Sequence, residues 1–393
     1  MQISKNISSE KETVKEKKLG LSVIFKSKMT TILIATIAIW ILFTVLTGGN
    51  FLTTRNLSNL FRQMSITGIL AIGMVFVIIL GEIDLSVGST LGLLGGIAAI
   101  LNVWFGFSAI PTMVITLILG IMIGAWNGYW IAFRNVPSFI VTLASMLVFR
   151  GILIGVTNGN TIAPLTGEFK SVGQAYLPPI FAYALVVLAV AGSSYLILTN
   201  RKNKIKYNIE VRPMTLDVVT IIGIGAVSLG LVVILNNYQG FPIPVFIMLV
   251  LALVLTFIGT KTIFGRRVYG IGGNRDAARL SGINVKKHIM VVYSMVGLLA
   301  AVAGILLTAR LNAGSVAAGQ NAELDAIAAC VIGGASLSGG SGSVAGALVG
   351  ALVMASVDNG MSMMNAPTFW QYIVKGLILL MAVWIDISSK NKK

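Results

Sequence analysis

Charge is scarce in this chain. Charged residues make up 11% of its 393 positions, where a soluble globular chain carries roughly 25%. The length alone would allow two or three soluble domains, yet no long polar block exists to hold one. Histidine and cysteine are scarcer still, with one of each, His288 and Cys330. A lone cysteine closes no internal disulfide, and its apolar Gly/Ala setting marks it as a small packing residue. One histidine and one cysteine cannot build a metal cluster or a Ser/His/Asp set. His288 ends a basic loop and reads as interfacial rather than catalytic. The phosphate pattern G-x-x-x-x-G-K-[ST] is absent, so ATP is not bound by that device. The run Gly340-Ser341-Gly342-Ser343-Val344-Ala345-Gly346 has the wrong glycine spacing for a dinucleotide fingerprint and follows no soluble strand. The chain is therefore not expected to be an enzyme in its own right.

What is present is apolar. Hydrophobic residues reach 56%. Apolar segments fall at about 29–46, 66–81, 86–105, 112–132, 138–156, 179–199, 217–235, 244–260, 289–309, 326–340, 343–357 and 369–385. Most are long enough to cross a bilayer, and several are short or broken by glycine. The expected fold is an all-α polytopic membrane protein with about 10–12 transmembrane segments, including broken or re-entrant Gly-rich helices. Residues 1–28 form a basic tail, 29–386 the membrane domain and 387–393 a second tail. The run after the first tail is long, and Thr47-Gly48-Gly49-Asn50-Phe51 is a poor cleavage site, so an uncleaved first span is expected.

The net charge of +16 does not indicate nucleic acid, because the cations sit in short loops and tails rather than on one amphipathic face. Counted from a cytoplasmic N-terminus, the inside segments hold 23 of the 29 Lys and Arg. That bias places both termini, 201–212 and 261–288 in the cytoplasm. The loop 157–178 then lies outside. It is polar, turn-rich and near neutral, which suits an external partner.

An internal echo links Gly88-Ser89-x-x-Gly92-x-Leu94-x-Gly96 with Gly342-Ser343-x-x-Gly346-x-Leu348-x-Gly350. Duplication would explain it, and so would the small-xxx-small spacing that lets membrane helices approach. Four acids lie in or beside apolar segments: Glu82, Asp84, Glu323 and Asp325. A charge at mid-membrane costs roughly 2.5–3.5 kcal/mol on insertion scales, so these acids should face a polar cavity, cap a helix or lie at an interface. Asp84 could cap the helix after Ser86, and Asp325 the helix over 326–332. Alternatively, Glu82, Asp84, Ser86, Glu323 and Asp325 line a translocation path. An ion relay would need basic partners deep in the spans, and only Arg150 suggests itself. The breaker run 333–342 adds Ser336 and Ser338, whose hydroxyls could meet a sugar or simply occupy a cytoplasmic turn. Met354, Met361, Met363 and Met364 read as packing rather than a metal site. Trp370 reads as an interfacial anchor.

The stretch 261–288, KTIFGRRVYGIGGNRDAARLSGINVKKH, carries seven cations against one acid. Within it, Asp276-Ala277-Ala278 is followed by Gly282, which suits a short surface helix. It could dock a cytosolic partner or be an ordinary basic loop. DAARLSG resembles the E-A-A-x-x-x-G coupling motif of ABC-importer membrane subunits, with Asp276 in place of the usual Glu. The wider phrase GRRVYGIGGNRDAARLSGI is similar to the same loop in the bacterial ribose, galactose, arabinose and xylose permeases. The resemblance runs from about Asn56 to Asp386. Its most specific segments are GMVFVIILGEIDLSVGS at 73–89, NVPSFIVTLASM at 135–146, AELDAIAACVIGG at 322–334 and NGMSMMNAPTFWQYIVKG at 359–376.

The resemblance implies the membrane subunit of an ATP-driven sugar importer of the inner membrane, working by alternating access as a homodimer, with D-xylose as the first candidate cargo. It assigns ATPase coupling to Gly272, Gly273, Asp276, Ala277, Ala278, Arg279 and Gly282. It further implies a cytosolic ATPase that carries ATP and magnesium, an external sugar-binding protein, and no cofactor on this chain. The rival expectation is a stand-alone, ion-coupled secondary sugar transporter. A membrane anchor or receptor without transport fits less well, given many Gly-broken spans and no sizeable soluble domain.

Overall fold

The computed structural model describes residues 28–390. Residues 1–27 of the basic tail and 391–393 of the second tail lie outside the described residues. The helices in chain order are α1 (Lys28–Leu46), α2 (Thr54–Ile79), α3 (Val87–Val103), α4 (Ala109–Ala132), α5 (Ser138–Thr157), α6 (Gly167–Gln174), α7 (Pro179–Lys206), α8 (Met214–Asn236), α9 (Ile243–Lys261), α10 (Ile263–Gly273), α11 (Arg275–Leu280), α12 (Val285–Leu311), α13 (Ala322–Ile332), α14 (Val344–Met363) and α15 (Thr368–Lys390). The described strands are two residues each, β1 (Tyr176–Leu177) and β2 (Phe241–Pro242), paired antiparallel. Among the described residues nine helices are long and apolar enough to cross a membrane, and Thr30–Leu46 and Val87–Val103 are shorter apolar helices. The chain is a multi-pass, all-helical membrane protein.

The chain divides into two compact units. In one, Pro178–Gly240 carries α7 and α8. Its turn is tied by the Arg201 guanidinium on Asp217 at 2.9 Å. The other unit, Lys28–Leu177 with Phe241–Lys393, holds the remaining helices.

In the larger unit α2, α12 and α14 form the core, with 83%, 67% and 72% of their apolar windows buried. Helix α2 begins at Thr54, twelve residues before the apolar run that announces it. Asn56, Ser58, Asn59, Arg62 and Gln63 dilute the hydropathy there, but Asn56 and Ser58 are buried, and Asn56 is paired within the protein. Asn56 and Asn359 of α14 exchange side-chain hydrogen bonds at 2.8 and 3.0 Å. In lipid, an internal partner is what makes such a polar turn tolerable.

Backbone proximity sets the packing of α4 on α12. Gly120, Gly124 and Gly128 fall at four-residue spacing, and a Cβ at any of them would overlap the backbone of Met290–Gly297. Without a hydrophobic drive between helices in lipid, such close approach supplies the dispersion contact. The echoed glycines serve similarly. Gly88 and Gly92 of α3 accept the backbone of 318–319, while Gly346 and Gly350 of α14 accept Gly333 and Ala329 of α13. Each echo opens a helix after a break, though α3 starts at Val87 and α14 at Val344, three residues later in the aligned register. The apolar run 326–340 is not one span. Its helix ends at Ile332, and Gly334, Gly339 and Gly340 take φ of 88°, 84° and 73°, a region that only glycine enters freely.

At one end of the larger unit, Gly314 bridges Ile162, and Asn312 Oδ1 accepts the Leu165 N–H at 3.1 Å. These loops and the 261–288 stretch therefore lie at opposite ends of α12, whose 27 residues span about 40 Å.

Candidate coupling and translocation sites

The basic stretch folds into two helices rather than one. Helix α10 starts on Thr262, whose hydroxyl accepts the Gly265 N–H at 3.2 Å. Helix α11 starts on Asn274, whose side chain accepts the Ala277 N–H at 2.9 Å, a cap the sequence reading did not anticipate. Asp276 occupies the first turn, favourable to the helix dipole. Gly282 ends the helix with φ of +80° and no atom near where a Cβ would lie. Asp276, Ala277 and Arg279 are exposed, and among the described residues no ion pair joins Asp276 to Arg279. Leu280 is 89% exposed. Ala278 departs from the expectation: at 6% exposure it packs inward and is not offered to a partner. The apolar side chains that α11 presents outward are Ala277 and Leu280. His288 is buried, with Nδ1 2.7 Å from the Asn284 carbonyl and its ring stacked on Phe264.

Gly272 and Gly273 do not lie on α11. They end α10, and Gly272 has no room for a Cβ because it meets the Ile79 carbonyl and Gly340 N. The Tyr269 hydroxyl donates to the Gly342 carbonyl at 2.7 Å. Half-burial raises that phenol above its ordinary value.

The first break, 80–86, follows a glycine stop. Gly81 has φ of 77°, Gly81 N–H returns to Ile78 O and Glu82 N–H to Val77 O, the paired bonds of a Schellman end. Glu82 then pairs with Arg275 at 2.8 Å. Asp84 is 3% exposed, and its Oδ1 accepts the Ser86 N–H at 2.8 Å and the Ser86 hydroxyl at 2.7 Å. It thus holds Ser86, the residue at the N-cap of α3, and reaches the Val87 backbone N–H that opens the helix. Asn127 of α4 donates to Ser86 Oγ at 2.9 Å, and Ser145 of α5 donates to Asn127 Oδ1 at 2.7 Å. Tyr293 of α12 reaches the Ile83 carbonyl at 3.3 Å, and Ser138 accepts the Ile83 N–H at the same distance. Four helices are therefore fastened to one unwound turn. The cavity beside Asp84, Ser86, Asn127 and Tyr293 measures about 10 Å³, room for one water at most. Asn127, Ser145 and Tyr293 were missed in the sequence because single polar residues in apolar runs carry no spacing signal.

In the second break, 333–343, Ser336 and Ser338 bring their hydroxyls to 2.9 Å of each other, and Ser336 N–H bonds Ser341 O at 3.0 Å. The run is a turn folded between α13 and α14.

Asp325 lies in the first turn of α13 and not at its N-cap, which is Asn321. Its carboxylate meets Lys375 of α15 at 2.9 Å, and Lys375 also meets Asp358 of α14 at 2.9 Å. This corrects both the capping expectation for Asp325 and the view that Arg150 alone could partner an acid. Lys375 within an apolar run was the readable signal, since a lysine at that depth requires an acid. The second carboxylate oxygens of Asp325 and Asp358 are buried without a hydrogen bond. Glu323 is also buried, against Gly88 of α3. Arg150 turns to backbone, donating to the Val316 and Ala318 carbonyls at 2.6 and 3.0 Å. A separate groove of about 590 Å³ runs between α1, α13 and α15. Its lining, including Ile39, Val331 and Ile378, is apolar and offers little to a sugar. Among the described residues no group of three metal-ligating side chains comes together.

Residues 56–383 match the family described as branched-chain amino acid transport system / permease component. The chain belongs to this permease family. It is 56% identical over 360 residues to the xylose transport system permease protein XylH of Haemophilus influenzae, covering 92% of this chain and 96% of that one. XylH of Escherichia coli K12 is 54% identical over 361 residues, with 91% of each chain covered. The ribose import permease protein RbsC of the same strain is 36% identical over 344 residues, with 88% of each covered. No solved structure matches the chain. The relatives are transport permease subunits, and the exposed α11 and the fastened breaks are parts of such a permease.

Proposed function

We propose that this permease is the membrane subunit of an ATP-driven D-xylose importer. The similarity to two xylose permeases at 54–56% identity across more than nine-tenths of the chain carries the choice of sugar. The exposed α11, capped at Asn274, stopped at Gly282 and presenting Ala277 and Leu280, supports docking to a cytosolic ATPase. That partner carries ATP and magnesium and performs the hydrolysis, and this chain binds no cofactor. Two copies of the chain form the path, an external sugar-binding protein docks over the 157–178 end, and both termini face the cytoplasm. Cargo passes by alternating access. The 10 Å³ cavity at Asp84 then corresponds to a closed path, with Asp84 and Ser86 as the polar groups it would expose on opening. The test is uptake in vesicles holding permease and ATPase, supplied with the binding protein. Labelled xylose should enter only with internal ATP.

The buried Asp325–Lys375–Asp358 triad favours a second reading, a solitary ion-coupled transporter. In that case uptake would persist without any ATPase and follow a proton or sodium gradient.

A further inference from the structure

Five separate features converge on one junction. The Ile79 carbonyl, at the end of α2, accepts the Gly340 N–H of the second break at 2.9 Å. Gly272 of α10 packs without a Cβ against that same carbonyl and against Gly340 N. A Cβ on Gly339 would approach Gly272 O to 2.7 Å and Gly81 N of the first break to 3.1 Å. Tyr269, one turn earlier on α10, holds Gly342 O at 2.7 Å. Arg275, the first residue of α11, holds Glu82 of the first break at 2.8 Å.

The second break is thus bonded to α10 and to the end of α2, the first break is bonded to the start of α11, and Gly272 of α10 packs where the two breaks meet. Close backbone packing cannot deform gradually, so a displacement of α10 must carry both breaks with it. The first break in turn fixes α3, α4, α5 and α12 through Asp84, Ser86, Asn127, Ser145 and Tyr293.

We infer that α10 and the first turn of α11 together carry the partner's stroke into the membrane, with Tyr269–Gly342 as the strut that joins the second break to α10 and Glu82–Arg275 as the strut that joins the first break to α11. This rests on the importer reading above. Glu82, Arg275 and Tyr269 are positioning residues, since they act through the breaks.

The test is the amount of xylose delivered per ATP hydrolysed, measured on the permease reconstituted with its ATPase and binding protein and normalised to assembled complex. Arg275 is half exposed, so Arg275→Gln has little effect on folding. Arg275→Gln, Glu82→Gln and Tyr269→Phe should each lower the ratio about fivefold or more, the lower end of ordinary coupling effects. The swapped pair Glu82→Arg with Arg275→Glu should recover most of it. A purely structural role would change the yield of complex and leave the ratio alone. Single variants that deliver sugar at the unaltered ratio overturn the inference. So does a swap that performs no better than Glu82→Gln, because Glu82 would then act on cargo and not on Arg275. A native complex without ATP-driven uptake would overturn the importer reading as well, and is distinguished by failing before any substitution.

Discussion

Lys375 is the cation shared by Asp325 and Asp358, so its removal should cost more than the neutralisation of either acid. Lys375→Met leaves two buried carboxylates facing each other, and breaking a buried pair in this way costs about 3–5 kcal/mol. Asp358→Asn leaves a one-to-one pair and should cost much less. Thermal unfolding of the purified permease in detergent would show this ordering, and equal losses would mean that the triad is not a charge unit. At Asp84 the bonds are both accepted by a single oxygen, and an amide carbonyl can accept them too. Asp84→Asn should therefore keep most transport. Asp84→Ala leaves the Ser86 donors unsatisfied at about 1–3 kcal/mol and should depress uptake. Loss of uptake in Asp84→Asn, with insertion intact, would instead mark a charge-dependent path.

On the scale of elements, α11 separates two kinds of alanine. Ala278 faces its own chain, so Ala278→Trp should destabilise the permease itself. Leu280→Ser, on the exposed side, should leave insertion and thermal stability unchanged while the ATPase no longer co-purifies. Retention of the ATPase by Leu280→Ser would refute the outward face assigned here. Gly282→Val meets no neighbour, so its penalty is backbone strain alone, about 1–2 kcal/mol for a left-handed residue. Gly282→Asn should be milder, since Asn enters that region more readily. Uptake and ATPase recovery should rank Gly, Asn, Val.

For the whole molecule, the expectation concerns sidedness. In a Cys330→Ser background, Asn160→Cys should label from outside the cell and Lys204→Cys should not. The background substitution is mild because serine is nearly the size of cysteine and its hydroxyl can donate to the Ala71 carbonyl, as the buried thiol does at 3.3 Å. The reverse labelling would invert the arrangement, the ATPase docking end included. Much of the helical architecture was legible in the linear chain. Long apolar runs and cationic loops act through transfer free energy, which depends on composition and not on neighbours. The Asp276–Gly282 helix was also local, since an acid in the first turn, two alanines and a terminal glycine act through neighbouring residues. Tertiary structure alone decided that α2 extends back to Thr54, because Asn56 needs Asn359, some 300 positions away, before its burial is tolerable. It alone assigned Asp325 to Lys375 and Glu82 to Arg275, and turned Ala278 inward. Such pairings depend on which helices lie side by side, and a polar residue in an apolar run announces only that it needs a partner, not where that partner is.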